Sequence, residues 1–215
     1  FGIHVVRSGY TYFKIDGGQT YEPGSYTVEP DCSQAGYFWG AAAVTGSRVK
    51  VRGTSLGSLQ GDIQLVGLLE SMGCRVAGEH DGVVLTGGEL HAVAVDMSNM
   101  PDMVPTLAVV SAFAKGTTRI KNVAHLRVKE SDRLAAVAAG LERMGISATC
   151  TDDGLVIAGG SPHGAEIDTY DDHRMAMSFT LAGLISPGIV IHNPDCCGKT
   201  FPDFFKSFER MTGTR

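Results

Sequence analysis

The chain repeats itself at an interval close to seventy residues. The string Met72-Gly73-Cys74-Arg75-Val76, followed by Asp81-Gly82-Val83-Val84-Leu85-Thr86-Gly87-Gly88, returns 72 residues later as Met144-Gly145-Ile146 and Asp153-Gly154-Leu155-Val156-Ile157-Ala158-Gly159-Gly160. A looser copy, Phe1-Gly2-Ile3-His4-Val5 with residues 10–15 and Gly17-Gly18, opens the chain 71 residues before Met72. Each copy reads as strand, turn, strand, because apolar and β-branched residues flank glycine-bearing turns. A fixed period restricts the fold more than any single motif, since every unit must present the same elements in the same order.

Two series of aspartates keep the same beat. Asp31, Asp102 and Asp172 each precede an apolar run, at 35–44, 104–114 and 175–185. Asp62, Asp132 and Asp203 each precede a helical pattern, at 63–72, 134–144 and 204–211. Between the two helices of each unit lies a short β-rich run: Val49-Lys50-Val51, Arg119-Ile120-Lys121 and Ile189-Val190-Ile191. The unit is therefore βαβαββ, an α/β module too long for a simple solenoid repeat. The chain starts at a closing hairpin and reaches Arg215 before the third unit completes its own. That phase predicts one half of a larger protein. The hairpin at 1–18 then belongs to an upstream domain or closes the third unit in place. Residues 17–25 (GGQTYEPGS) read as a linker.

Bulk properties narrow the class. A net charge of −5 with no basic run speaks against nucleic acid as a partner. No apolar stretch reaches the ~18 residues of a membrane span. Five cysteines without metal-ligand spacing read as reduced thiols. Glycine, at 28 residues, is nearly twice its usual share of about 7%, which predicts many tight strand-to-helix turns.

Chemistry gathers at helix starts. Lys129, Glu130, Asp132 and Arg133 fall within five residues, directly before an Ala- and Leu-rich helical run ending at Gly145. Ser131 or Asp132 supplies an N-cap. Asp171-Asp172-His173-Arg174 and Gly198-Lys199-Thr200-Phe201-Pro202-Asp203 stand before the two helices of the third unit. Asn99-Met100-Pro101-Asp102 stands before the first helix of the second. Helix N-termini favour anions, and in α/β units they open where ligands bind. Lys129, Arg133, Arg174 and Lys199 thus predict a bowl for a substrate with more than one phosphate or carboxylate. Asp102 and Glu130 sit among these cations as a proton acceptor and a proton donor, the donor having a pKa raised by bound anions. Asp172 and Asp203 read as caps, and His173 as structural. There is no nucleophile elbow, no P-loop lysine and no zinc-type His pair.

Residues 126–134 (LRVKESDRL), 170–177 (YDDHRMAM) and 198–203 (GKTFPD) together resemble the 5-enolpyruvylshikimate-3-phosphate (EPSP) synthase family. Asn99-Met100-Pro101-Asp102 and Gln60-Gly61-Asp62 also fit, and the likeness is to the C-terminal half. The resemblance implies three βαβαββ units around a pseudo-threefold axis, the inside-out α/β barrel of enolpyruvyl transferases. It implies transfer of the enolpyruvyl group of phosphoenolpyruvate to the 5-hydroxyl of shikimate 3-phosphate, without metal or organic cofactor. By motif position Asp102 takes or orients the hydroxyl proton, and Glu130 protonates the phosphoenolpyruvate methylene. Asp102, His125 and Lys129 bind shikimate 3-phosphate, His125 standing where the family often places Asn. Arg133, Arg174 and Lys199 bind phosphoenolpyruvate. Residues 1–28 would be the closing hairpin and hinge of an N-terminal domain, which is the expected partner, and residues 29–215 the C-terminal domain. The expected location is the cytoplasm, or the plastid in a plant, and the enzyme type is the glyphosate target. A related transferase acting on a UDP-sugar, and a non-catalytic binding module, are the alternatives.

Overall fold

A computed structural model describes residues 1–213. The strands are β1 (Val5–Ser8) and β2 (Tyr12–Ile15), followed by helix α1 (Cys32–Thr45), strand β3 (Arg48–Arg52), helix α2 (Gln64–Ser71), and strands β4 (Arg75–Glu79) and β5 (Gly82–Thr86). The second unit runs β6 (Ala94–Asp96), α3 (Val104–Ser111), β7 (Thr117–Lys121), α4 (Arg133–Arg143), β8 (Ser147–Cys150) and β9 (Leu155–Ala158). The third holds β10 (Glu166–Ile167), α5 (His173–Gly183), β11 (Val190–Ile191) and α6 (Phe204–Thr212).

The second unit is a complete βαβαββ module, with sheet order β6-β7-β9-β8. The first lacks a leading strand and keeps the equivalent order β3-β5-β4, while the third keeps only the parallel pair β10-β11. Among the described residues the hairpin β1-β2 pairs with no other strand and is exposed along its length, so it does not close the third unit there. The flank of α5, β11 and α6 is instead an apolar hollow of about 300 Å³ lined by Leu184, Ile189, Ile191, Phe205 and Phe208. The expected domain limit at residue 215 lies outside the described residues.

The excess of glycine has a second cause beside turns such as those at Gly46 and Gly145, whose φ is positive. The repeat-equivalent Gly82 and Gly154 sit where a neighbouring strand crosses so closely that a Cβ would lie 2.3 Å from the Val51 carbonyl oxygen and 1.9 Å from that of Ile120. A Cβ at Gly87 or Gly159 would likewise lie 2.2 or 1.9 Å from the carbonyl oxygen of Ala42 or Ala114, at the end of the unit's first helix. The repeated Asp-Gly and Gly-Gly strings thus mark backbone crossings more than turns.

Helices α1, α3 and α5 pack against one another in the core. All eight residues of α3 are buried, as a helix apolar on every side demands. Gly40 lets α1 approach both neighbours, since a Cβ there would stand 2.8 Å from Leu181 and 3.1 Å from Thr106. The hydroxyls of Thr106 and Ser178 satisfy each other between α3 and α5 at 3.2 Å. The second helices flank this core: Gly140 of α4 lies under the Phe179 ring, and Phe204 of α6 meets Tyr37 edge-on at a centroid distance of 5.7 Å. Phe201, Phe204 and Phe208 close around Phe38 of α1 and so fix the segment that carries Lys199. No helix among the described residues is long and apolar enough to cross a membrane.

Candidate active site

The first helices of the three units begin at equivalent aspartates, but the three do different work. Asp31 is an ordinary N-cap, accepting from the Ser33 and Gln34 amides at 2.8 and 3.2 Å. Asp102 lies inside a 3₁₀ turn, Pro101–Met103, and caps nothing. Asp172 accepts from the Arg174 amide at 2.9 Å, yet its carboxylate is completely buried and serves a second helix as well. Arg133 Nε donates to Asp172 Oδ2 at 2.8 Å and Nη2 to Oδ1 at 3.3 Å. Ser131 Oγ donates to the same Oδ2 at 3.0 Å. The expectation that Asp172 is simply a cap was therefore too narrow. Asp203 also departs from it: it holds the N-cap position of α6 with no cap bond and pairs with Lys206 at 3.1 Å.

Asp132, rather than Ser131, caps α4, accepting from the Ala135 amide at 3.0 Å. This starts the helix at Arg133 and turns the guanidinium inward, where it is 1% exposed. Besides Asp172 it reaches Asp102 Oδ1 through Nη1 at 3.1 Å and Glu130 Oε2 through Nη2 at 2.7 Å. Four of its five N–H groups are thereby used. Arg174 Nη2 donates to Asp102 Oδ2 at 2.7 Å, and its Nη1 to the buried Tyr37 hydroxyl at 3.4 Å. Lys199 Nζ approaches Glu130 Oε1 at 3.3 Å. Asp102, Glu130, Arg133, Arg174 and Lys199, drawn from two units and separated by up to 97 positions, thus form one connected network. His125 and Lys129 stay outside it. Both are exposed and make no hydrogen bond or ion pair among the described residues.

The electrostatics sort the carboxyls. Burial works to raise the Glu130 pKa, but its own amide, Arg133 and Lys199 together prevail and hold it at about 2. This is opposite to the direction expected of an acid, and it follows from the pairing of Glu130 with the very cations expected to take an anion. Asp62 goes the other way: burial first, then Asp102, raises it to about 6. Burial and the neighbouring Arg174 depress His173, whose Nδ1 is buried without a partner. Burial likewise drives the Tyr37 phenol above its ordinary range.

Sequence reasoning overlooked Asp172, Asp62, Ser131 and Tyr37 as members of this site. The aspartates carried a signal in their shared period; Tyr37, one aromatic in an apolar helix, carried none. No group of three or more His, Cys, Asp or Glu side chains is placed to hold a metal ion among the described residues.

Helix starts from repeated α/β units, converging on paired cations and carboxylates, define an α/β domain of the enolpyruvyl transferase fold. The chain belongs to the EPSP synthase (3-phosphoshikimate 1-carboxyvinyltransferase) family, whose model matches residues 1–208. A 3-phosphoshikimate 1-carboxyvinyltransferase from Syntrophobacter fumaroxidans is 51% identical over 196 residues, 90% of this chain and 46% of that protein. One from Nostoc punctiforme is 46% identical over 98% of this chain and 50% of that protein. The solved EPSP synthase of Acinetobacter baumannii superposes with a TM-score of 0.84 at 31% identity, over 98% of this chain and 52% of the other. The enolpyruvyl transferase NikO of Streptomyces tendae, at 21% identity and TM-score 0.74 over 98% of this chain and 50% of the other, shares the fold. The chain spans about half the length of the curated relatives it matches.

Proposed function

We propose that this chain forms one wall of an EPSP synthase cleft and takes part in moving the enolpyruvyl group of phosphoenolpyruvate to the 5-hydroxyl of shikimate 3-phosphate. Family membership and the ion-pair network support the reading. In it, residues 29–215 are the C-terminal domain, residues 1–28 the end of the preceding one, and the three units surround a pseudo-threefold axis. The mutual packing of α1, α3 and α5 supports that symmetry.

The observation that carries the proposal is the seating of Arg133 between Asp102 and Glu130, at 3.1 and 2.7 Å, with Arg174 and Lys199 on their outer oxygens. Arg174 and Lys199 present charge to phosphoenolpyruvate, and Arg133 supports both carboxylates from beneath. Asp102, seated between two guanidinium groups, orients the 5-hydroxyl and takes its proton. Glu130, ionised at rest, first takes up a proton from solvent as the substrate phosphate draws Lys199 away, and then delivers that proton to the methylene carbon. His125 and Lys129, exposed beside the network, are the shikimate 3-phosphate contacts. No metal or organic cofactor enters the scheme. The location is cytoplasmic, or plastid in a plant.

The missing wall belongs to the N-terminal half, because closure around both substrates excludes water from the reaction. Calorimetry with phosphoenolpyruvate and shikimate 3-phosphate, with and without the matching N-terminal half, tests the reading. Binding should tighten and turnover should appear only with both halves present. Preference for UDP-N-acetylglucosamine over shikimate 3-phosphate would defeat the substrate choice, and robust turnover by this chain alone would defeat the half-cleft.

A further inference from the structure

Carboxylates outnumber cations at this site. Asp62, Asp102, Glu130 and Asp172 face Arg133, Arg174 and Lys199, and of the four only the Asp62 side chain makes no hydrogen bond or ion pair among the described residues. Its position is set by backbone. The Gln60 side chain accepts from the Cys32 amide and donates to the Pro30 carbonyl, each at 2.8 Å, which fastens this turn to the start of α1. Gly61 lies so close to the Asn99 carbonyl oxygen that a Cβ would be 2.0 Å away. Segments 30–34, 60–62 and 99–102 therefore meet, and Asp62 is half-buried at their junction. The charged groups acting on it are Asp102 from the 3₁₀ turn, Arg174 from α5 and Asp31 from the start of α1. Only Arg174 favours its ionised form, and that guanidinium is already bonded to Asp102 at 2.7 Å.

We infer that binding of an anion at Arg174 is coupled to protonation of Asp62, making Asp62 the group that adjusts the charge of the site to its substrate. An anion against Arg174 cancels the one positive influence on Asp62 and adds a negative one, so the carboxyl must take a proton or repel the ligand. With a starting pKa of about 6, Asp62 can do this close to neutral pH. Glu130 and Asp172 are placed differently, each bonded to Arg133, and Glu130 to Lys199 as well. This rests on the phosphoenolpyruvate reading above and gives that subsite a proton partner.

The test is calorimetry on the whole chain at pH 6.5, in buffers of different ionisation enthalpy. Phosphoenolpyruvate is one probe, and sulfate, which has no proton to exchange in this range, is the other. A one-unit rise in the Asp62 pKa gives uptake of about half a proton per sulfate and roughly a fivefold fall in affinity from pH 6 to pH 8. Asp62→Asn should bind sulfate with no uptake and no such pH dependence. Binding of sulfate without proton uptake, or uptake unchanged in Asp62→Asn, overturns the coupling and leaves the substrate reading standing. Failure of both anions to bind, to the chain alone and with the matching N-terminal half present, overturns the two together. Should Asp62→Asn fail to fold, carboxyl titration by NMR in the unaltered chain decides. An Asp62 midpoint that does not rise with added sulfate ends the proposal.

Discussion

Arg133 Nε and Asp172 Oδ2 lie 2.8 Å apart with their side chains 2% and 0% exposed, joining the start of α4 in one unit to the start of α5 in the next. The pair is buried, multiply hydrogen-bonded and shared between repeats. It holds the guanidinium from which Asp102 and Glu130 take their positions.

Removing one partner should therefore be costly. Asp172→Ala leaves the Arg133 Nε–H, the Ser131 hydroxyl and the Arg174 amide without their buried acceptor, for which a loss of about 3–5 kcal/mol is expected. In a chain of this size that lowers the midpoint of thermal unfolding by roughly 10 °C. A drop of only a degree or two, followed by circular dichroism, would contradict a structural role for the pair.

Glu130→Gln keeps the shape of the side chain and removes its transferable proton. In the enzyme assembled from both halves, kcat should fall by about 10²- to 10⁴-fold while substrate binding persists. Steady-state kinetics with a separate binding measurement checks this. A nearly normal kcat would take the acid role from Glu130.

Asp62 makes stability depend on pH with a definite sign. Its folded pKa of about 6 exceeds the ordinary 3.8, so the native chain binds this proton more tightly than the unfolded chain. The contribution is whole below pH ~4 and is lost as pH rises through ~6. Asp62→Asn should thus stabilise the chain at pH 7–8 by on the order of 1 kcal/mol, after allowance for partial solvent exposure, and do little at pH 4. Denaturant titrations at both pH values would show it. Stabilisation confined to pH 4 would reverse the sign and refute the argument.

Gly140→Ala should destabilise the protein, although alanine favours helix by about 1 kcal/mol over glycine. The new methyl would fall 2.4 Å from Phe179 Cζ, and such overpacking costs about 1–3 kcal/mol. Gly67→Ala on α2, where nothing lies within 4 Å, is the control and should not destabilise. Equal effects at the two sites, measured by thermal unfolding, would dismiss the packing account.

The motif-bearing segments announced themselves because their residues are close in sequence. Glu130 and Arg133 share one helix start, and His173 and Arg174 another, so their nearness is local geometry. Lys199 and Asp102 were predicted members for the same reason, each beside a proline-marked turn. What no local pattern conveyed was who pairs with whom. Asp31, Asp102 and Asp172 look alike at equal spacing, yet one caps, one bridges two arginines and one is sealed against a third unit's neighbour. Those roles depend on which helix faces each carboxylate across the core. The place of the opening hairpin stayed open in the sequence for a related cause: its alternating residues specify a strand but name no edge for it to join.

The sequence by itself determined the repeat, the order of helices and strands within it, and the gathering of charge at helix starts, because periodicity and capping act over a few residues. Only the tertiary structure decided that Arg133 is interior, that Glu130 is held ionised, and that Asp62 is left without a cation of its own. Those outcomes follow from burial and from charges more than a hundred residues away in the chain, which meet only once α1, α3 and α5 have packed together.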